Sequence, residues 1–357
     1  MSGFWGERIK LSVFGESHGP AVGVVIDGLK SGLMVDFEEI RRRMKKRAPG
    51  GDLATPRKEA DEVKILSGMY NGCTQGTPIA AVIENTNVKS ADYDNLRNIP
   101  RPSHADYAAL LKYGGFADMR GGGHFSGRLT APIVFAGALC MQALAKEGVT
   151  IGARLAMAGG VRDKEIDYGE ETAKLLDERD FPVFDAQAAR DMQAAIIKAK
   201  EEDDSIGGIV ELFAAGMKQG LGGPLFEGAE GRLASSLFGI PAVKGVEFGG
   251  GFSLASMRGS QANDALETDA KGGVAFKTNN SGGIQGGITT GAPVIARVAF
   301  KPTPSIAKEQ ASVDLASGED AKISIHGRHD PCVALRGVYA AQAAFAIALL
   351  DMIYAAY

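Results

Sequence analysis

Apolar and polar positions alternate in "RIKLSVFG" (8–15) and "AVGVVIDGL" (21–29), which predicts two strands separated by the polar loop "ESHGP" (16–20). The β-branched runs of "EVKILSGMYNG" (62–72) and "TPIAAVIEN" (77–85) predict a hairpin around the turn residues Asn71 and Gly72. "IGGIVELFAAGM" (206–217) and "PVIARVAFKP" (293–302) read as further strands. Helical spacing predicts helices over 37–47, 104–114, 131–147 and 187–202, the first capped by Asp36, with Glu38 and Glu39 in its first turn and cations at its end. Its basic run "RRRMKKR" (41–47) is expected to be a solvated helix face.

Two stretches are apolar on most faces, "LTAPIVFAGALCMQALA" (129–145) and "GVYAAQAAFAIALLDMIYAAY" (337–357). Pro132, Gly137 and Asp351 interrupt them, so they are expected as helices buried in a large core or a subunit interface, which points to a homo-oligomer and away from a membrane. The loop "APGGDLATPRKEAD" (48–61) is long enough to be functional or mobile. The charged segment 161–187 is expected to be an insertion or disordered. With no fixed-period repeat and no Ser/Gly linker, the expected architecture is one large α+β domain spanning 1–357.

Composition narrows the function. Glycine is used 48 times in 357 residues, about twice its usual frequency, without a G-X-Y period, so glycines must serve turns and close backbone approaches. A net charge of −4 gives no case for nucleic acid. Cys73, Cys140 and Cys332 are odd in number and form no CxxC pair, which implies a reducing, cytoplasmic setting and no metal cluster. The first ten residues are charged and lack an apolar core, so no secretory signal is expected there.

All five histidines fall in loops with Gly, Ser or Arg: His18 in "GESHGP", His104 in "RPSHADY", His124 in "RGGGHFSGR", and His326 and His329 in "IHGRHDPC". Such a concentration is a mark of a site. Zinc is disfavoured, because there is no HExxH and the i, i+3 pair in "HGRH" has no companion carboxylate helix. A serine hydrolase is disfavoured because His18 directly follows Ser17 and breaks the G-x-S-x-G order. Anion binding fits better: "RGGG", "EFGGGF" (247–252), "SGGIQGGITTG" (281–291) and "KPTPS" (301–305) can turn backbone N–H groups toward phosphate, with Arg101, Arg120, Arg128, Arg328 and Arg336 nearby in sequence. A histidine among arginines disfavours its cation until a phosphate dianion arrives, and can then protonate a departing phosphate. Asp330, the acid within these basic motifs, could orient a histidine, accept a proton or pair with Arg328.

"FGESHG" (14–19), "RPSHADY" (101–107), "VKGVEFGGGF" (243–252), "SGGIQGGITTG" and "GRHDPC" (327–332), in this order, resemble the chorismate synthase family over essentially the whole chain. The resemblance implies a β-α-β sandwich and a lyase of the shikimate pathway. That lyase converts 5-enolpyruvylshikimate 3-phosphate to chorismate and phosphate by an anti 1,4-elimination, with reduced FMN and no net redox change. It also implies a homotetramer and, as no dinucleotide fingerprint is present, an external flavin reductase spending NADPH. Carried over by motif, His18 would protonate the leaving phosphate, His104 would sit by the flavin N1/C2 carbonyl, and Asp330 would assist proton removal. Ser17, Arg47, Arg101, Arg128 and Arg328 would hold the substrate. His124, Phe125, Ser126, Ala242, Gly286, Lys301, Pro302, Thr303, Pro304, Ser305 and Arg328 would line the FMN.

The chain departs from the common family pattern in three places. His124 and Phe125 stand where Arg and Ser are usual, Ser103 replaces a common Gly, and the loop after Pro49 lacks an arginine that many members have. These changes are expected to tune affinity and leave the reaction as it is.

Overall fold

The computed structural model describes residues 3–48, 53, 61–86, 98–268, 272–325 and 329–356. The first sheet is antiparallel, ordered β1 (Phe4–Trp5), β2 (Lys10–Gly15), β3 (Ala21–Asp27), β7 (Ile79–Glu84), β4 (Val63–Ile65). Gly15 pairs with Val22, so residues 16–20 form the turn between β2 and β3, as the alternation predicts. The predicted hairpin is the pairing of β4 with β7, and inside it lies a ribbon of β5 (Met69–Tyr70) and β6 (Cys73–Thr74). Asn71 and Gly72 both take positive φ, 48° and 77°, the twist that a two-residue hairpin turn needs.

The second antiparallel sheet is ordered β11 (Val243–Phe248), β16 (Val294–Phe300), β10 (Gly208–Ala215), β8 (Thr150–Ala158), β9 (Val161–Arg162). Three ribbons stand outside the sheets: β12 (Leu266–Thr268) with β13 (Val274–Phe276), β14 (Ile284–Gln285) with β15 (Ile288–Thr289), and β17 (Gln310–Val313) with β18 (Asp320–Ile323).

Between the sheets runs a helical layer made by the two apolar stretches. It comprises α1 (Phe37–Arg47), α3 (Thr130–Lys146) and α8 (Val333–Ala355), with α2 (Asp106–Tyr113), α4 (Glu170–Glu178), α5 (Ala186–Glu201), α6 (Ala229–Phe238) and α7 (Gly259–Ala262) at other positions. α3 packs on β3 and β7, and α8 packs on β8, β10 and β16, giving sheet, helix, sheet. By length and composition α3 and α8 could each cross a membrane, yet here they form the center of one continuous core that reaches both sheets. Each fully buried Phe or Leu there, such as Phe135, Leu139 and Phe345, contributes about 1.5–3 kcal/mol by leaving water. Asp351 is tolerated in α8 because its Oδ1 accepts from the backbone N–H groups of Glu7, Arg8 and Ile9, at 3.1, 2.6 and 2.8 Å.

Two expectations are corrected. Residues 161–187 are ordered and packed: they form β9 and α4, and Ala173 and Leu176 of α4 cover Phe213 and Ile295 on the outer face of the second sheet. The segment is pinned by Asp163, which pairs at 2.9 Å with the buried Arg154 of β8 and accepts from the N–H groups of Phe184 and Asp185. α1 has the expected cap, Asp36 accepting from Glu39 N, but its basic run is not simply solvated. Arg42 and Lys46 bond to Asp177, and Arg47 is fully buried.

Candidate active site

A cavity of about 860 Å³ opens where the first sheet, the helical layer and the loops 101–105, 239–244, 300–305 and 329–330 meet. Its lining carries the cations Arg101, Arg128, Lys244, Lys301 and Arg336 and the imidazoles of His104, His124 and His329, and Asp330 is the acid that lines it among the described residues. Apolar surface comes from Trp5, Ile133, Phe238, Ala340, Ala344 and Ile347. Burial lowers the pKa of Lys301, with Lys244 adding to the effect, so this wall favours an incoming anion.

The stretch "RGGGHFS" organises the histidines. Residues 120–125 form a tight turn in which Gly121, Gly122 and Gly123 have φ of 60°, 89° and 53°. A Cβ on Gly121 would stand 2.1 Å from the His18 ring, and one on Gly122 would stand 3.3 Å from Nε2 of His104. The triplet therefore lies between the two histidines, and a side chain at Gly121 would displace His18. Gly123 O accepts from Ser17 N at 3.1 Å, which ties the β2–β3 turn to this floor. Ser17 is fully buried, and its Oγ has no hydrogen-bond partner among the described residues. His124 donates from Nδ1 to Gly15 O at 2.9 Å, and Phe125 and Ser126 continue the wall.

His104 belongs to a dense polar cluster. Its Nδ1 lies 2.6 Å from Oδ1 of Asp106, whose carboxylate also accepts from Arg101 N, Nε and Nη2 at 3.0, 2.7 and 2.8 Å. Burial alone would raise the Asp106 pKa, but the hydrogen bonds from Arg101 and His104 hold it well below the usual carboxylate range. Arg101 Nη1 donates to Ser305 Oγ at 3.3 Å, linking the cluster to the "KPTPS" turn. Asp330 pairs with Arg336 Nη1 at 2.7 Å, and its carbonyl accepts from Thr303 Oγ1 at 2.8 Å.

Nε2 of His329 is buried in the cavity wall and has no hydrogen-bond partner among the described residues. Burial, and then the Arg101 cation, pushes its pKa down to about 4. A histidine whose folded pKa is depressed binds fewer protons than the unfolded chain below about pH 6.5. Its neutral form thus supports the fold above pH 6.5, and that support is lost as pH falls through 4. Urea melts at pH 7 and pH 5 are expected to show a smaller acid-induced loss in His329→Gln than in wild type. An equal loss in the two proteins would refute the assignment.

Several sequence-based assignments shift. Arg101 is not a free substrate clamp, because Nε and Nη2 are engaged by Asp106. Arg47 does not line the cavity: it is buried beneath it, with Nη2 on Asp61 at 2.7 Å and Nη1 on Thr130 at 3.2 Å. Arg128 does line it, while also bonding Asp61 and, from Nε at 2.8 Å, Asn85. Arg120 pairs at the surface with Asp118. Ser17, His18, Gly286 in the β14–β15 turn, and Pro302 are not on the lining, whereas Ala242, Lys301, Thr303, Pro304 and Ser305 are. Arg328 and His326 lie outside the described residues.

Part of the loops "EFGGGF" and "SGGIQGG" is taken up by packing one backbone on the other. Gly249 and Gly282 bring their backbones together, a Cβ on either falling about 2.3–2.4 Å from the other's nitrogen, and the nearby N–H groups of Asn280 and Ser281 are capped by Asp264. Ser103 has φ 58° and Ala242 has φ 72°, left-handed conformations that strain a residue with a Cβ. A glycine at 103 would be the unstrained choice. Asp61 and Asp106 were not singled out as site residues by the sequence reading, whereas Arg336 was, among the arginines expected to meet phosphate. Only Asp106 had a local signal there, a carboxylate two residues after a loop histidine.

Known proteins match the chain over nearly its whole length. The chorismate synthase family model matches residues 9–354. The chain belongs to the chorismate synthase family. It is a lyase that catalyses the chorismate-forming step of the shikimate pathway, from 5-enolpyruvylshikimate 3-phosphate. The chorismate synthase of Korarchaeum cryptofilum is 45% identical over 98% of this chain and 96% of its own length. That of Thermococcus kodakarensis is 46% identical over 97% and 96%. A crystal structure of chorismate synthase superimposes with a TM-score of 0.76, covering 98% of this chain and 92% of the other at 26% identity. The β-α-β sandwich expected of a chorismate synthase is the fold described above.

Proposed function

We propose that the chain performs the elimination in the 860 Å³ cavity with reduced FMN beside the substrate. The observation that carries this reading is the cavity's mixed lining, which sets Arg128, Lys301, His104 and Asp330 beside apolar surface from α3, α6 and α8. Its volume falls in the usual range for ligand pockets, about 300–1,000 Å³. The donor set fits a flavin nucleotide, with Lys301, Thr303 and Ser305 for polar groups and flat apolar surface for a ring system. His329 Nε2 is a buried polar atom there with no partner among the described residues.

When bound, the reduced flavin would supply electron density to the electron-poor ring that loss of an allylic phosphate creates. The chain's own groups do the rest. Arg128 holds the substrate from the wall it lines, and His18, off the lining behind Gly121, is the donor to the departing phosphate, with the buried Ser17 beside it. His104 presents Nε2 to the cavity as a proton acceptor, and Asp330, fixed by Arg336, assists removal of the proton lost from the substrate. His124, Phe125, Ser126, Ala242, Lys301, Thr303, Pro304 and Ser305 hold the cofactor from the wall they line.

The reduced flavin is supplied by a separate reductase that consumes NADPH. A reducing cytoplasm accords with the three free thiols, and a homotetramer accords with Phe116, Leu225, Phe226 and Phe252, each more than four-fifths exposed.

The test is anaerobic phosphate release from the enolpyruvyl substrate, with chemically reduced FMN, with oxidised FMN plus NADPH, and with no flavin. Turnover is expected in the first arm only, and His104→Ala is expected to abolish most of it. No turnover with fully reduced FMN would sink the flavin reading, and turnover in the NADPH arm would sink the external reductase.

A further inference from the structure

We infer that Asp106 is a positioning residue that fixes the tautomer of His104, so that Nδ1 carries the hydrogen and Nε2 faces the cavity. The inference rests on His104 acting in the site proposed above.

Distance decides the tautomer. Nδ1 of His104 lies 2.6 Å from Asp106 Oδ1 and 3.1 Å from Arg101 Nη2. Were Nδ1 bare, its lone pair would face a carboxylate oxygen at 2.6 Å, and the gain from an Arg101 donor at 3.1 Å would not offset that repulsion. With hydrogen on Nδ1, the contact becomes a charge-assisted hydrogen bond.

The acceptor is itself held still. Arg101 grips Asp106 through Nε, Nη2 and its backbone N–H, and Arg101 Nη1 is braced on Ser305 Oγ. Asp106 is the first residue of α2, where the helix dipole favours a negative charge. On the other edge of the ring, Gly122 keeps the space beside Nε2 clear of any side chain. A ring locked on one edge and open on the other offers the ligand one defined nitrogen. The charged and titratable groups that face it are Arg101 and Asp106 on its own segment and His329 and Asp330 from the loop before α8.

The test uses the full-length, flavin-free chain labelled with 15N-histidine, for which long-range 1H–15N spectra report the His104 tautomer. Wild type is expected to carry Nδ1–H, and Asp106→Asn to shift toward Nε2–H, because an amide can donate to Nδ1. In turnover with reduced FMN, Asp106→Asn is expected to lower kcat by about 100-fold or more, with KM changed less than about threefold. Asp106→Glu should recover part of kcat.

An Nε2–H tautomer in wild type would overturn the inference, and this readout decides even if Asp106→Asn fails to fold. A folded Asp106→Asn with kcat near wild type would also overturn it. If His104→Ala abolishes turnover and Asp106→Asn does not, this inference alone fails. If His104→Ala keeps turnover, the site reading fails with it.

Discussion

Replacing His18 by alanine is expected to lower kcat for phosphate release by about 10²–10⁴-fold, the range lost when a general acid is removed. The expectation follows from where the fold puts the ring. His18 sits in the turn joining β2 to β3, only 9% exposed, against a glycine that has no room for a Cβ. A side chain held this tightly keeps its orientation without substrate, so little ordering is left for the reaction to supply. Breaking the carbon–oxygen bond sends its electron pair to the oxygen that departs with phosphate, and a proton donated to the leaving group lowers the barrier directly. The substitution lies in a loop outside the core, so the melting temperature is expected to stay within a few degrees. Single-turnover phosphate release under anaerobic conditions separates this loss from weaker binding: kcat should fall far more than substrate affinity. A His18→Ala protein releasing phosphate within threefold of wild type would remove His18 from the mechanism.

Much of this arrangement was legible in the sequence wherever the signal was local. Asp36, followed by two glutamates and then a run of cations, marks α1 because cap and dipole effects act within a turn. Asn71–Gly72 marks its turn because few other pairs accept two positive φ angles. His18, His104 and Asp330 stand out because each sits in a short polar motif, and the resemblance extends those motifs into an ordered set. What failed was long-range. Glycine runs look alike in sequence whether they cradle an anion or let two chains touch, and only the contact between Gly249 and Gly282 separates the two uses. An arginine in a motif reads as a clamp until its carboxylate partner is known. Asp106 for Arg101 and Asp61 for Arg47 and Arg128 come into view only with the fold. The charge density of 161–187 suggested solvent, because nothing local reveals that Asp163 answers a buried arginine nine residues earlier.

That arginine gives the largest stability effect. Arg154, Glu211, Arg297 and Glu247 stand in register across β8, β10, β16 and β11, so their charges alternate along one line of the second sheet. Arg154 is 4% exposed and Glu211 is 2% exposed, joined by a 2.8 Å bond from Nε, while Nη1 reaches Asp163 at 2.9 Å. Tyr168 donates to Glu211 at 3.3 Å, and burial followed by the Glu211 charge pushes its hydroxyl pKa up to about 12, so it remains a donor. Arg154→Met would preserve most of the volume and leave two buried carboxylates without their shared cation. Breaking a buried pair in this way costs about 3–5 kcal/mol, because the remaining charge keeps its desolvation penalty. The expected result is a fall in melting temperature of roughly 5–10 °C, with α4 loosening first, since Asp163 anchors the segment that leads into it. Hydrogen exchange across 163–185 should rise more than across β10. Adding Glu211→Leu to Arg154→Met should return part of the loss, because one of the stranded charges is then gone. An Arg154→Met protein within about 1 kcal/mol of wild type, or a double variant no more stable than the single, would show that the ladder does not hold this sheet and its covering helix together.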